Sequence, residues 1–175
     1  FLPVHSSLKL SEIRTGVDRI SNENNNYEIK LACEADWISY NSPEYVNNLL
    51  QAWNYGTAKS EVSGWQVLRL IISDENGRAV AKVQAYEKKI PVLGSLIRIP
   101  RGPTMLCSDQ SSDYYSNYNS VISALIKYSK KANWRILQCS FNMPDSLMAQ
   151  SQLSALGFFR LKGTPWGSGL IDLEL

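Results

Sequence analysis

Two hydrophobic rhythms alternate along this chain of 175 residues. A period of two marks strands and a period near 3.6 marks helices. Tyr27 to Ala32 (YEIKLA) alternates and predicts a first strand. Ser42 then reads as a helix cap with Pro43 at the first helical position, where a missing N–H costs least. Tyr45, Val46, Leu49, Leu50 and Trp53 follow at helical spacing, and Gly56 reads as the end of that helix. Trp65 to Ser73 predicts a strand, Asp74-Glu75-Asn76-Gly77 a hairpin turn, and Arg78 to Lys88 the returning strand. Ala79, Ala81, Val83 and Ala85 fall on one face of the latter. After a turn at Pro91 to Gly94, Ser95 to Pro100 predicts a third antiparallel strand. Beyond Ser112 an amphipathic helix carries Tyr118, Val121, Ile122, Leu125 and Ile126 on one stripe. Lys127, Lys130 and Lys131 fall in its last turns, where they suit the helix dipole. Trp134 to Phe141 reads as a buried strand. Asp145 reads as the cap of a helix ending near Leu156-Gly157, before strands at Phe158–Leu161 and Gly169–Leu173.

The resulting order is β, α, three antiparallel strands, α, β, α, β, β. A meander followed by β-α-β-α-β-β is the element order of the N-acetyltransferase-like fold: an α/β (α+β) domain with a mixed, largely antiparallel sheet flanked by helices. Residues 1–26 end in the aperiodic polar run SNENNN and read as an arm or linker. Residues 27–175 read as one domain. The chain starts at Phe1 rather than Met, which suggests a piece of a longer protein.

Composition changes this picture little. A net charge of +2 is too small to argue for nucleic-acid binding. Cys33, Cys107 and Cys139 are far apart, form no C-x-x-C pair, and are accompanied by the single histidine His5, so no metal site is expected. An odd, unpatterned cysteine count suits a reducing compartment, and no apolar run reaches membrane-spanning length; a cytoplasmic location is the expectation. Cys139, inside an apolar run, reads as a small buried hydrophobe.

A Ser-His-Asp or Cys-His constellation cannot be built around His5 in the arm. Neither a P-loop nor a G-x-G-x-x-G fingerprint occurs. A coenzyme A pyrophosphate loop needs glycine-supplied N–H groups ahead of a helix. The interval PRGPTMLCSDQSS has the single glycine Gly102, followed by Pro103, which has no donor. Acetyl-CoA binding is disfavoured, and no cofactor is expected.

Two segments remain distinctive: LLQAWNYGTAKSEVSGW, Leu49 to Trp65, and IRIPRGP, Ile97 to Pro103. Their order and spacing resemble the first half of the Fem family, the aminoacyltransferases that build peptidoglycan cross-bridges. The matching residues are Leu50, Gln51, Trp53, Gly56, Lys59, Trp65, Pro100, Arg101, Gly102 and Pro103, with Ala52 in place of the usual serine. The ending GFFRLKGTPWGSGLIDLEL looks like the close of the family's first half. The resemblance implies transfer of an amino acid from aminoacyl-tRNA to the stem peptide of a peptidoglycan precursor, nucleotide- or lipid-linked. It further implies a second homologous domain that holds the intermediate-stabilising residues, so this chain alone is expected to fold without turning over. The alternatives are a precursor- or partner-binding module of the same fold, and an acyl-CoA N-acetyltransferase.

Candidate substrate-binding residues are Lys59, Arg101, Arg98 and Tyr55; no catalytic residue is assigned. Lys59, read as lying in a loop after the helix, could hold a diphosphate as a point charge or be a solvated lysine. Arg101, in a Pro-X-Gly-Pro corner, could aim its guanidinium fork at phosphate or anchor the loop on backbone carbonyls. Arg98 is expected on the same strand face. Tyr55 is placed beyond the apolar stripe and could face a ligand, as could Tyr114 and Tyr115. Trp53, Trp65 and Tyr118 are assigned to the core.

Overall fold

The computed structural model describes residues 4–9, 27–41, 48–106, 114–143 and 145–161. Its strands are β1 (Val4–Lys9), β2 (Glu28–Leu31), β3 (Gln66–Ser73), β4 (Ala79–Ile90), β5 (Gly94–Ile99), β6 (Thr104–Met105), β7 (Trp134–Phe141) and β8 (Phe159–Arg160). Its helices are α1 (Glu34–Ser39), α2 (Trp53–Ser63), α3 (Tyr114–Lys131) and α4 (Leu147–Ala155), with a 3-10 turn at Leu49–Gln51. Among the described residues one sheet runs β2-β3-β4-β5-β7-β1-β8, and β6 pairs with β4. Its pairs are antiparallel apart from β5–β7, which α3 connects as a parallel crossover.

The sheet's two faces differ because β3, β4 and β5 alternate. Leu70, Ile72, Ala81, Val83, Ala85, Ile97 and Ile99 point to one side and are sealed by the α3 stripe. Tyr118, Val121, Ile122, Leu125 and Ile126 are all buried there, as the 3.6-residue spacing requires. Cys139 and Phe141 extend this core along β7, and Ala149, Leu153 and Leu156 complete it from the α4 segment. Burial pushes the Cys139 thiol well above its ordinary range. The opposite face carries Arg69, Lys82, Gln84 and Tyr86, and α1, the 3-10 turn and α2 lie over it.

Several boundaries differ from the sequence reading. Val4–Lys9, inside the expected arm, is a strand paired with both β7 and β8. The helix expected to end at Gly56 instead begins at Trp53, with Gly56 in its first turns; residues 42–47 lie outside the description. Glycine is required there by close approach, since a Cβ would overlap the Gln84 side-chain amide. A helix selected for that contact has no apolar stripe, so periodicity could not find it. Ser146, one residue after Asp145, caps α4 by accepting from Ala149 N–H at 3.1 Å. Asp145 instead pairs with Arg160 at 3.1 Å. The strand read at Gly169–Leu173 lies outside the described residues.

Candidate functional site

The site begins with an irregularity in the sheet. Tyr86 pairs with Arg98 and Lys82 pairs with Thr104, so the β5–β6 segment spends two more residues than β4 between the same rungs. The excess forms the corner Pro100-Arg101-Gly102-Pro103, with a cis Gly102–Pro103 bond and Arg101 at φ 45°. Opposite it, Gln84 of β4 has no strand partner on that side for its N–H and C=O.

The Gln51 side chain takes the missing strand's place. Its Oε1 accepts from Gln84 N–H at 2.7 Å, and its Nε2 donates to Gln84 C=O at 3.0 Å and to Pro100 C=O at 2.6 Å. A carboxamide carries the same donor and acceptor as a peptide unit, so glutamine can complete a ladder from its side chain. Asn48 secures the turn that delivers it: its Oδ1 accepts from Leu50 N–H at 2.9 Å and its Nδ2 donates to Arg101 C=O at 3.0 Å. Gly102 is required beneath, because a Cβ would stand 2.9 Å from Gln51 Nε2. The Gly102 N–H donates to Ser140 C=O at 3.1 Å, which ties the corner to β7.

Gln84, fully buried, is the second hub. Its Nε2 donates to Leu50 C=O, Ala52 C=O and the Tyr86 hydroxyl at 3.1, 3.0 and 3.2 Å. Its Oε1 accepts from Arg69 Nε at 3.1 Å. Arg69 also donates to Trp53 C=O and Thr57 Oγ1 at 2.7 and 2.8 Å, with its guanidinium 3.6 Å above the Trp53 ring. Burial lowers the Arg69 pKa, and Tyr86 and Glu34 offset part of that effect. Burial raises the Tyr86 hydroxyl to about 12, with Tyr55 adding to the rise and Gln84 and Arg69 opposing it. The Tyr86 hydroxyl thus stays protonated at neutral pH.

Of the expected site residues, Tyr55 and Arg98 converge on Tyr86: Tyr55 is near enough to shift its hydroxyl, and Arg98 is its cross-strand partner. Arg98 is exposed, and its guanidinium lies 5.9 Å from the Trp65 ring centre, with Lys88 Nζ 5.8 Å from the same ring. Lys59 is not in a loop but in the middle of α2, exposed. Arg101 is half-buried at the corner. Arg98 and Arg101 are three positions apart, which a period of two puts on opposite faces, and β5 in any case ends at Ile99. Trp53 and Trp65 are half-buried under cations rather than in the core, whereas Tyr118 is fully buried. The side chains of Tyr114 and Tyr115 lie outside the description.

Arg69, Lys82 and Gln84 were missed by sequence reasoning. Lys82 and Gln84 alternate with Ala81, Val83 and Ala85 on β4, and Arg69 lies between Leu68 and Leu70 on β3. This is the pattern of a solvent-facing strand side, but here the helices and the 3-10 turn cover it. Among the described residues there is no cluster of three or more His, Cys, Asp or Glu groups, and no helix long and apolar enough to cross a membrane.

No protein-family model matches the chain, and no curated protein matches its sequence. Solved structures do match in shape. A tandem GNAT protein from the clavulanic acid biosynthesis pathway aligns over 91% of this chain and 50% of its own, with 9% identity and TM-score 0.52. A conserved protein of unknown function from Staphylococcus epidermidis aligns over 92% of this chain and 59% of its own, with 13% identity and TM-score 0.46. L-PGS from Bacillus licheniformis aligns over 88% and 52%, with 12% identity and TM-score 0.47. The chain thus spans between half and three-fifths of these three proteins' lengths. Together with the element order and the mixed, mostly antiparallel sheet, the match to the tandem GNAT protein defines the class: the chain has the N-acetyltransferase-like fold.

Proposed function

We propose that this chain is an acyltransferase domain of Fem type, which positions a peptidoglycan precursor to receive an amino acid from aminoacyl-tRNA. What supports this reading is one observation. The two segments that carry the family resemblance, far apart in sequence, meet at a single junction, where Gln51 bonds Pro100 C=O and packs on Gly102. Residues of both segments therefore meet at one corner of one sheet.

Beside the junction, Tyr55, Trp65, Lys88 and Arg98 form a cationic and aromatic patch next to the buried Tyr86. Rings offer a face to a base or sugar, and the exposed cations attract phosphate. Lys59 on α2 and Arg101 at the corner add positive charge on neighbouring elements. Acyl transfer to an amine at such a site relies on positioning and on polarising the ester carbonyl, and the second task falls to a further homologous domain. The corner itself supplies little to a coenzyme A pyrophosphate: the Gly102 N–H is committed to Ser140 C=O and Pro103 has none.

Calorimetric titration tests the proposal. A nucleotide-linked muropeptide should bind this chain, and Arg98→Ala or Lys59→Ala should weaken it by about tenfold each, as lost charge-assisted hydrogen bonds do. Acetyl-CoA should give no saturable heat. Micromolar acetyl-CoA binding, with no response to the muropeptide, would establish the acetyltransferase alternative instead.

A further inference from the structure

On the other side of Gln84 from the aromatic patch, α1, the 3-10 turn and the start of α2 enclose a second feature with β4 and β6. It is a cavity of about 550 Å³ lined by Ile38, Trp53, Asn41, Asn48, Lys82 and Thr104, among others. That volume lies within the range of small-molecule sites.

Lys82 is only 2% exposed. Its Nζ donates to Asn41 Oδ1 at 2.6 Å and to Tyr40 C=O at 3.4 Å, and stands 5.2 Å from the Trp37 ring centre. All three neighbours are neutral. Among the described residues the ion pairs are Lys30–Glu28, Arg78–Asp74 and Arg160–Asp145, and none involves Lys82. Glu34 lines the same cavity but makes no ion pair with it. Half-buried Arg69, on the neighbouring strand β3, pairs with no carboxylate either. Buried ammonium groups are ordinarily paired, because desolvating a lone charge is costly. Burial accordingly lowers the Lys82 pKa. Thr104, the cross-strand partner of Lys82, lines the cavity beside it.

We infer that this cavity is a binding site for a small organic monocarboxylate, with Lys82 as its counter-ion and Thr104 and Asn48 flanking it. Lys82 pairs with no carboxylate of the described residues, and the negative charge of Glu34 in the same lining disfavours a phosphate dianion, so a monocarboxylate fits better. The apolar part of the lining, Ile38, Leu49 and Trp53, suits a short aliphatic or acylated body. The inference does not depend on the Fem-type reading, since it uses none of Tyr55, Lys59, Arg98 or Arg101.

The test is a titration of the full chain with N-acetylglycine, followed by ¹H–¹⁵N spectra at constant ionic strength. N-acetylglycinamide, inorganic phosphate and sodium chloride serve as comparators. Saturable shifts are expected at the amides of Lys82, Thr104 and Asn48 with the carboxylate, and not with the neutral amide or chloride. Lys82→Met should weaken binding about tenfold or more, the loss expected for a charge-assisted contact. Glu34→Gln should tighten it by removing a like charge from the lining. Should Lys82→Met fail to fold, Thr104→Val carries the same test, with a weakening of several-fold expected. The proposal is overturned by an absence of saturable shifts, by equal affinity in wild type and Lys82→Met, or by phosphate outcompeting the carboxylate.

Discussion

Gln51 shows how much a single side chain can decide. It completes the sheet where β4 has no strand partner, so truncation leaves Gln84 N–H, Gln84 C=O and Pro100 C=O without their bonds. Each buried orphan costs about 1–3 kcal/mol, and Gln51→Ala should lower unfolding free energy by about 3 kcal/mol or more in urea. Gln51→Glu preserves shape yet replaces the donor with an acceptor facing two carbonyls, and should be at least as damaging. Tolerance of glutamate would mean that the residue only fills space.

The cysteines offer a second check at this scale. Cys139 is buried with its thiol held protonated, and Cys33 is exposed at the start of α1. Thiolate is the reactive form, so iodoacetamide under native conditions should modify Cys33 and spare Cys139 until the chain unfolds. Peptide mass mapping reads this directly. Early labelling of Cys139 would contradict its burial.

Elements in this protein are held by two different means. α3 docks through an apolar stripe, a pattern that its amino-acid sequence displays by itself. α2 docks through Gly56, through backbone carbonyls that accept from the Gln84 and Arg69 side chains, and through the Arg69–Trp53 stack. Gly56→Ala should therefore be costly, although alanine ordinarily stabilises a helix by about 1 kcal/mol over glycine. Its Cβ has to displace a fully buried amide with several partners, and about 2 kcal/mol or more of net destabilisation is expected, as for overpacking. A Gly64→Ala control sits in open space at φ 65°, and should cost only about 1 kcal/mol. Thermal denaturation of both variants distinguishes contact from conformation. Equal losses would show that the Gly56–Gln84 approach is unimportant.

For the whole molecule, the decisive pairing is that of β1. Residues at the very start of the chain insert between β7 and β8 near its other end, with Val4 opposite Phe141 and Ser7 opposite both Gln138 and Phe159. Removing residues 1–9 would leave β7 as an open edge, and open edges pair with other chains. The truncated protein should melt lower by about 5 °C or more, since about 2 kcal/mol corresponds to such a shift at this size. It should also self-associate in sedimentation experiments. A truncated chain that stays monomeric with an unchanged melting temperature would mean that β1 is dispensable.

How much of this was legible in the sequence follows from the range of the interactions involved. The meander, the α3 stripe and the β7 run depend on local alternation, and local alternation was enough to read the N-acetyltransferase-like fold from them. The distinctive residues of the corner, Gln51, Arg101 and Gly102, were also visible, as motif rather than as mechanism. Tertiary structure alone decided the rest. A polar alternation such as Lys82-Val83-Gln84-Ala85-Tyr86 looks identical whether water or a helix covers it, because strand periodicity records only that the two faces differ. A strand whose partner lies more than a hundred residues away, as β1 does, leaves no local signature. A glycine chosen for contact with a buried amide reads as a helix stop, because the residue it touches is distant in sequence and near only after folding.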